Sequence, residues 1–271
     1  MQNLVSVVGA AAVWDSLSKV DRLPKIGEIV NITDKEDDFA PGGCAPNIAY
    51  NLAGLGLTPT LHYPVGKDFN SSYLKNKWIN KGIQLDLTLV ENTLSGFASL
   101  YMQPDGNTMC FSYLGAAGIA SFPENSILNK FVIICPVFNK FTKAALEMAL
   151  QKESNVIITG IGDSKIIKYL PSIYAIIINV TEAKQLLNAL NLDSIQKLSM
   201  QIPNLKIFIT NGSKGSNVYI NGKTINIPIV KTKENITAIV ISASAAFSLK
   251  ILSKTDFLGF PSLSRAISSS K

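Results

Sequence analysis

The sequence predicts an α/β protein built on a mostly parallel β-sheet, with a smaller second β-sheet beside it. Runs rich in valine and isoleucine alternate with helical stretches along most of the 271 residues, a pattern typical of a parallel sheet covered on both faces. Two other segments alternate apolar and polar residues around turns, which is typical of antiparallel hairpins. Because 47% of the residues are apolar and only 16% are charged, a disordered chain is excluded.

The elements of the main sheet can be predicted in order along the chain. A first buried strand covers residues 4–8, and a helix follows over 47–56, where glycine ends it. The later elements are strands over 131–135, 156–159, 175–179 and 206–210, and helices over 142–151 and 182–189. We expect a single domain over residues 1–271, with hairpin segments at about 13–32 and 96–113 inserted as an accessory sheet.

Charge and hydropathy exclude two classes of partner. Lysine and arginine exceed aspartate and glutamate by 25 to 19, giving a net charge of +6, but they form no basic cluster, so we expect no nucleic-acid partner. No apolar run approaches the roughly 20 residues that span a bilayer, so no membrane partner is expected. We interpret residues 1–12 as a buried strand, because no basic region precedes them as it does in a signal peptide.

The cysteine and histidine content excludes further chemistries. Cys44, Cys110 and Cys135 are widely spaced and form no CxxC motif, so we predict small core residues of a protein in the reducing cytoplasm. With His62 as the single histidine, no zinc ligand set can be assembled. His62 is interpreted as a packed or partly exposed strand residue, and the absence of GxSxG argues against a Ser-His-Asp hydrolase.

Two glycine motifs resemble phosphate-binding loops but lack required residues. Residues 222–224 read Gly-Lys-Thr, yet Asn217 stands where the earlier glycine of a Walker loop belongs, so we predict a hairpin turn. Residues 160–162 read Gly-Ile-Gly after a strand, but Lys165 occupies the third glycine position of a dinucleotide fingerprint.

The most informative stretch is residues 41–56, which begins Pro-Gly-Gly-Cys-Ala-Pro-Asn. Consecutive glycines before a helix let the backbone approach a ligand closely, which favours a binding role for Gly42 and Gly43. Asn47, at the start of the predicted helix, offers both a donor and an acceptor to hydroxyl groups.

With this stretch the chain resembles the ribokinase-like, or PfkB, family of carbohydrate and nucleoside kinases. The resemblance continues, in the family's order, through residues 7–9 leading to Asp15, residues 20–24 with 27–28, and residues 65–69, 106–107, 113–116, 179–182 and 210–215. Together these motifs span about residues 4–250. Within the family, the stretch after Gly42 and the residues around Tyr113 are most similar to prokaryotic adenosine or nucleoside kinase-like members.

The resemblance implies a three-layer α/β sandwich with a mostly parallel central sheet and a small β lid. It also implies that a polyol or nucleoside binds between lid and sheet, where Asp15, Gly42, Gly43 and Asn47 hold the hydroxyl groups of this phosphoryl acceptor. The position of Asp15 differs by one residue from the usual pattern.

The resemblance further implies that ATP lies along the C-terminal half of the sheet, lined by Thr210, Gly212 and Gly215. Asn179 and Glu182 would then organise Mg²⁺ and its waters, because a hard cation prefers oxygen ligands. An Asn-x-x-Glu sequence between a strand and a helix is also a common helix-start arrangement, and this reading stays open.

The chain departs from the family at the catalytic motif. Family members carry Gly-Ala-Gly-Asp at a helix start, where backbone N–H groups form an anion hole and the aspartate takes the proton from the attacking hydroxyl. Here residues 242–245 read Ser-Ala-Ser-Ala. Ala245 cannot accept a proton, and Ser242 and Ser244 replace both glycines. Apolar residues also fill positions 239–241, where the family usually has Asp-Thr-Thr.

Three functional hypotheses remain open. The first is a kinase homologue that has lost, or nearly lost, phosphoryl transfer. The second is an active kinase that uses ATP and Mg²⁺ with another base, and the third is a non-catalytic protein that binds a ligand or interacts through its lid. Without activity, no cofactor is expected. A homodimer formed through the lid and a cytoplasmic location complete the expectations.

Overall fold

The computed structural model describes residues 4–35, 40–69, 73–161 and 164–228. Its strands are β1 Leu4–Val8, β2 Trp14–Val20, β3 Ile32–Lys35, β4 Ala40–Pro41, β5 Thr58–Gly66, β6 Gln84–Val90, β7 Phe97–Met102, β8 Thr108–Tyr113, β9 Phe131–Ile134, β10 Asn155–Thr159, β11 Ala175–Asn179, β12 Lys206–Thr210, β13 Ser216–Ile220 and β14 Lys223–Ile227. Its helices are α1 Cys44–Gly54, α2 Tyr73–Asn80, α3 Ala116–Ile119, α4 Lys140–Gln151, α5 Val180–Leu190 and α6 Ile195–Gln201, with 3₁₀ turns at Ser164–Ser172 and Gly212–Lys214.

The main sheet has nine strands in the order β14-β13-β12-β11-β10-β9-β1-β5-β6. The seven strands from β12 to β6 run parallel, and β13 and β14 add an antiparallel hairpin at one edge. The predicted α/β class with a mostly parallel sheet is therefore confirmed. Parallel strands place their carboxyl ends at one edge of the sheet, where ligands bind in such folds.

Alternating strand residues form two cores, one on each face of the main sheet. On one face, Val7 and its neighbours pack against α1 and α2 through residues such as Ile48 and Trp78. On the other face, Val8 and its neighbours pack against α4, α5 and α6 through residues such as Phe141 and Leu186. Because both faces of the main sheet are covered, residues pointing to either face are buried, and its strands are continuous runs rich in valine and isoleucine.

A second sheet, which we call the lid, has the order β3-β2-β7-β8, with β4 paired to β2. The predicted hairpins are present, because β2 pairs antiparallel with β3 and β7 pairs antiparallel with β8. The two hairpins join through parallel pairing of β2 with β7. Both of these strands leave the main body at the same place, so they enter the lid side by side and in the same direction.

The structure corrects several element boundaries. Helix α1 begins at Cys44, three residues before the predicted start at Asn47, and ends at Gly54. Pro46 lies in the first turn of α1, a position where proline is tolerated, so the helix can begin before it. Helix α5 likewise begins earlier than predicted, at Val180, because Asn179 caps it. The predicted hairpin is confirmed between β13 and β14, but its turn lies at Asn221 and Gly222, because Lys223 and Thr224 already pair within β14.

The three cysteines are free thiols, but they are not all core residues. Cys135 is buried, Cys44 is half-buried and Cys110 is exposed on β8. The prediction of a core position was wrong for Cys110, because the lid strand that carries it is covered on neither side along most of its length. None of the helices in the described ranges is long and apolar enough to span a membrane.

His62 lies in a buried polar network and is only 1% exposed, so the expectation of a packed residue is correct. Its Nδ1 lies 2.8 Å from Asp86 Oδ2 and its Nε2 lies 3.0 Å from Ser6 Oγ. Ser6 Oγ also accepts hydrogen bonds from the backbone and side-chain nitrogens of Asn129. Because Ser6 Oγ already accepts two hydrogen bonds, the Ser6 hydroxyl donates its own hydrogen to His62 Nε2, which is therefore unprotonated. The proton of the neutral ring is then on His62 Nδ1, which donates to Asp86 Oδ2.

We expect this network to make stability depend on pH. Burial lowers the pKa of His62, and the nearby Asp86 carboxylate only partly offsets this effect. In the unfolded chain, His62 has an ordinary pKa of about 6.5 and binds a proton more readily than in the folded protein. The free energy of unfolding therefore falls as the pH drops through about 6.5. Uptake of one proton changes the free energy of unfolding by at most about 1.4 kcal/mol per pH unit.

Urea unfolding of the wild type and of His62→Gln between pH 7.5 and 5 measures this contribution. Other titrating groups are common to both proteins, so the difference between their slopes isolates His62. Equal pH dependence in the two proteins would contradict the prediction.

Candidate active site

Asp15 begins the lid at the second residue of β2, where it pairs with Ala40 of the short strand β4. Its carboxylate is half-buried and packs directly against Gly42. It forms no hydrogen bond or ion pair with any residue in the described ranges. Burial raises the pKa of the Asp15 carboxyl. A partly buried carboxylate without a protein partner is a strong acceptor for ligand hydroxyl groups.

Gly42 and Gly43 are required by the packing around Asp15. A Cβ on Gly42 would lie 2.3 Å from Asp15 Oδ1, and a Cβ on Gly43 would lie 2.2 Å from the Ala12 carbonyl oxygen. Gly43 also has φ = +78°, a value that side chains strongly disfavour. The two glycines were expected to bring the backbone close to a ligand. In the structure they bring it close to Asp15 and to the turn before β2.

Asn47 lies in the first turn of α1, where its N–H donates to the Gly43 carbonyl oxygen at 3.3 Å. Its side chain is half-buried and forms no hydrogen bond within the described part of the chain. The structure therefore brings Asp15, Gly42 and Gly43 into contact and places the free Asn47 amide one helical turn away. No side chain caps α1, so the amide groups at its start are available to a ligand or to water.

Asn179 and Glu182 form a reciprocal capping box at the start of α5. Asn179 Oδ1 accepts from the Glu182 backbone N–H at 2.9 Å, and Glu182 Oε2 accepts from the Asn179 N–H at 2.8 Å. Glu182 Oε1 also accepts from the Ile161 N–H at 3.1 Å, which ties the end of β10 to α5. The helix-start reading left open by the sequence is thus present in the structure.

These contacts limit how Asn179 and Glu182 would bind a metal ion. Each Glu182 oxygen accepts one backbone N–H and keeps a further lone pair, which fits an interaction with metal-bound water. No cluster of three or more histidine, cysteine, aspartate or glutamate side chains occurs within the described ranges. Asn179 and Glu182 would therefore contact a magnesium ion through its bound water and would not by themselves form a complete ligand set.

The loop after β12 lies beside this capping box. Thr210, the last residue of β12, is the register partner of Asn179 on β11. Gly212 and Gly215 have φ of +50° and +85° and bound a short 3₁₀ turn, which the Asn211 N–H closes by donating to the Gly215 carbonyl oxygen at 2.9 Å. A Cβ on Gly212 would meet no atom within 4 Å, so space remains above this turn.

Cys44, a residue that sequence reasoning did not assign to the site, begins α1 directly after Gly43. The pKa of its thiol is raised chiefly by burial and then by the charges of Asp15 and Glu182. Cys44, the first residue of α1, therefore lies within electrostatic range of both carboxylates. No sequence signal reveals this arrangement, because the three residues lie on separate elements.

Ser242, Ser244 and Ala245, the predicted degenerate catalytic motif, lie outside the described residues, as does the apolar segment 239–241. The candidate site that the structure describes consists of the residues to which the resemblance assigns acceptor binding, the capping box and the loop after β12.

The described chain is an α/β sandwich with a small lid, and its candidate site residues follow strands of the mostly parallel sheet. A family model described as pfkB family carbohydrate kinase matches residues 2–237. The chain therefore belongs to the PfkB family. The match ends before Ser242, the first residue of the degenerate motif.

Relatives within the family differ in the molecule for which they are named. A ribokinase of Dictyostelium discoideum is 26% identical over 161 residues, covering 57% of this chain and 50% of that protein. A nucleoside kinase of Methanocaldococcus jannaschii is 26% identical over 242 residues, covering 84% of this chain and 76% of that protein. The match to the ribokinase thus spans about half of its length.

A solved structure of Burkholderia thailandensis nucleoside kinase in complex with inosine has the same fold. It superposes with a TM-score of 0.77 and 20% identity, covering 92% of this chain and 84% of that one. The predicted ribokinase-like fold, with a mostly parallel sheet and a β lid, is therefore confirmed.

Proposed function

We propose that this protein binds a polyol or nucleoside through Asp15, Gly42, Gly43 and Asn47, and that it has lost, or nearly lost, phosphoryl transfer from ATP. The proposal rests on the difference between two positions of the chain, Asp15 in the acceptor half and Ala245 at the catalytic position. Asp15 is half-buried and unpaired within the described ranges, as a ligand-binding carboxylate should be, whereas the position of the catalytic base is Ala245.

Hydroxyl recognition by the acceptor-binding residues follows from their chemistry. The Asp15 carboxylate accepts hydrogen bonds from two hydroxyl groups, and the Asn47 amide both donates and accepts. Charge-assisted hydrogen bonds of this kind are stronger than neutral ones. The inosine complex of the Burkholderia nucleoside kinase and the names of the curated relatives support a sugar or nucleoside as the ligand.

Loss of transfer follows from the residues at 242–245. A methyl group at Ala245 cannot take a proton from the attacking hydroxyl, and loss of a positioned general base typically slows a reaction by about 10²- to 10⁴-fold. Serines at 242 and 244 also disfavour the positive φ angles that glycines adopt readily. The nearest acidic residues in the sequence, Glu234 and Asp256, lie about ten residues away on either side.

If phosphoryl transfer is retained, ATP and Mg²⁺ would be the ligands of the second half-site. Thr210, Gly212 and Gly215 would line the nucleotide, and Asn179 and Glu182 would hold metal-bound water beside its phosphates. When bound to an active protein, ATP would supply the phosphoryl group, and the cation would neutralise charge that develops during transfer. If the protein is an active kinase that uses another base, Asn179→Ala or Glu182→Ala should abolish its transfer.

We also infer that the lid mediates contact between two copies of the chain. Arg22 and Glu28 form an ion pair that closes the turn between β2 and β3. The segment between these strands presents Ile26 and Ile29, whose side chains are almost completely exposed. A contiguous patch of exposed apolar side chains favours an interaction surface. The homodimer, the cytoplasmic location and the single-domain organisation stay predictions.

Thermal unfolding with a panel of sugars and nucleosides tests acceptor binding, because a ligand of the folded state raises the apparent stability. We expect the wild type to be stabilised by at least one member of the panel. Asp15→Asn should bind that member about 10- to 100-fold more weakly, the loss expected for a hydrogen bond to a charged group.

The matched control is Asp21→Asn, which makes the same charge change at an exposed site just after β2. It should bind like the wild type. Equal binding by Asp15→Asn and Asp21→Asn would contradict the assignment of Asp15. Ordinary turnover of the wild type in a coupled kinase assay would contradict the loss of transfer.

A further inference from the structure

Tyr63 is fully buried on β5, yet its hydroxyl group is paired with the turn that follows β1. Tyr63 Oη donates to the Ala12 carbonyl oxygen at 2.8 Å and accepts from the Ala11 N–H at 3.0 Å. One hydroxyl group therefore satisfies both a donor and an acceptor of adjacent backbone residues. Within the described ranges, Ala11 N–H has this oxygen as its acceptor.

The turn held by Tyr63 leads directly to Asp15. Its next residue, Val13, donates its N–H to the Gly96 carbonyl oxygen at 2.8 Å and accepts from the Gly42 N–H at 3.0 Å. The turn therefore meets two other segments: the entry to β7 and the residues just before α1. Any displacement of Ala12 and Val13 shifts Asp15 relative to Gly42.

Tyr63 also lies behind the second glycine of the acceptor-binding residues. A Cβ on Gly43 would lie 2.8 Å from Tyr63 Oη as well as 2.2 Å from the Ala12 carbonyl oxygen. The Tyr63 hydroxyl group thus lies between the turn at residues 11–13 and the start of α1. This geometry sets the separation between the segment that carries Asp15 and the segment that carries Gly43.

Packing alone does not require a hydroxyl group at this position. The neighbouring residues on the same face of β5, Leu61 and Val65, are buried and apolar. A phenylalanine would preserve the ring and its contacts. It would leave the Ala11 N–H and the Ala12 carbonyl without their partner, and buried backbone groups are rarely left unpaired.

We propose that Tyr63 is a positioning residue of the acceptor site, whose hydroxyl group fixes the turn at residues 11–13 and thereby sets Asp15 against Gly42 and Gly43. Tyr63 is too deeply buried to touch a ligand, so it acts through the backbone of the turn. The consequence for binding rests on the proposed function, whereas the consequence for the turn does not.

The test uses Tyr63→Phe and two measurements. Hydrogen exchange, followed by mass spectrometry on peptides that contain Ala11 and Gly42, reports the turn without any ligand. We expect faster exchange in the variant for both peptides. Acceptor affinity, measured well below the melting temperature, should fall about tenfold, because Asp15 is no longer held in the binding geometry.

The matched control is Tyr169→Phe, which removes a hydroxyl group that donates to Glu147 at 2.7 Å. Tyr169 packs in the core on the other face of the main sheet, so its loss should change neither the exchange of the turn nor the acceptor affinity. A purely structural Tyr63 would lower the melting temperature but leave the affinity of the folded protein unchanged.

The outcomes separate this inference from the proposed function. Wild-type exchange at Ala11 and Gly42 in Tyr63→Phe would overturn the inference, and so would an unchanged affinity for a ligand that the wild type binds. If the wild type binds no member of the panel, the proposed function fails, and hydrogen exchange alone decides the role of Tyr63. If Tyr63→Phe does not fold, Ala12→Gly loosens the same turn and should produce the same two changes.

Discussion

Replacing Ala245 with aspartate is expected to raise the rate of phosphoryl transfer by about 10²- to 10⁴-fold, the factor that a positioned general base typically contributes. The reason is that the new carboxylate accepts the proton of the attacking hydroxyl at the position where the resemblance places the family's aspartate. The triple variant Ser242→Gly/Ser244→Gly/Ala245→Asp should be faster still, because glycines restore the backbone freedom of the anion hole. The measurement is transfer of labelled phosphate from ATP to the acceptor found by thermal unfolding.

The control for this gain of rate is Ala243→Asp, which introduces the same charge two residues away. It should leave transfer at the wild-type level, because general-base catalysis requires hydrogen-bond reach to the reacting proton. Equal rates for Ala243→Asp and Ala245→Asp would contradict the assigned register of the motif.

Replacing Gly43 with alanine is expected to cost about 2 to 6 kcal/mol of unfolding free energy and to remove acceptor binding. The new Cβ would lie 2.2 Å from the Ala12 carbonyl oxygen and 2.8 Å from Tyr63 Oη, and overpacking of this kind typically costs about 1–3 kcal/mol. The φ of +78° and ψ of 144° at Gly43 add about 1–3 kcal/mol for any residue with a side chain. Relief of the clash must move the turn before β2, and with it Asp15.

Gly56→Ala provides the matched control, at a glycine just beyond the other end of α1. Gly56 has φ = +84°, but a Cβ there would meet no atom within 4 Å. The substitution should therefore cost about 1–2 kcal/mol from backbone conformation alone and leave acceptor binding intact. Urea unfolding and ligand titration of both variants measure the difference. Equal losses of stability would show that backbone conformation, and not the packing around Asp15, explains the need for Gly43.

The strands of the main sheet could be predicted because the local sequence determines them. Segments such as Ala175–Asn179 and Lys206–Thr210 are short runs of branched apolar residues bounded by polar ones, and both were predicted with their observed limits. Helix boundaries were less accurate, because capping by Gly43 and Asn179 fixes them, and a capping role depends on backbone geometry that composition does not reveal.

The candidate site was predicted only as a set of residues, without the contacts that organise it. Asp15 and Gly42 are distant in sequence, and the pairing of β2 with β4 brings them together. Tyr63 is indistinguishable by sequence from an ordinary core residue of a strand, because its function depends on the carbonyl and amide groups of the turn at residues 11–13. Such long-range backbone contacts have no local pattern from which they could be read.

The capping box illustrates a motif whose structural role is clear while its functional role is a proposal. The family resemblance predicts a role for Asn179 and Glu182, and in the structure both side chains accept hydrogen bonds from backbone groups at the start of α5. The bond from the Ile161 N–H to Glu182 adds a tie to β10 that the spacing of the motif does not encode.

A single-turnover experiment tests the central claim most directly. Wild-type protein in excess over γ-labelled ATP, with Mg²⁺ and a saturating acceptor identified by thermal unfolding, reports the chemical step without any requirement for product release. We predict saturable acceptor binding, with label transfer at least about 10²-fold slower than in Ala245→Asp. Transfer by the wild type that is as fast as transfer by Ala245→Asp would contradict the account.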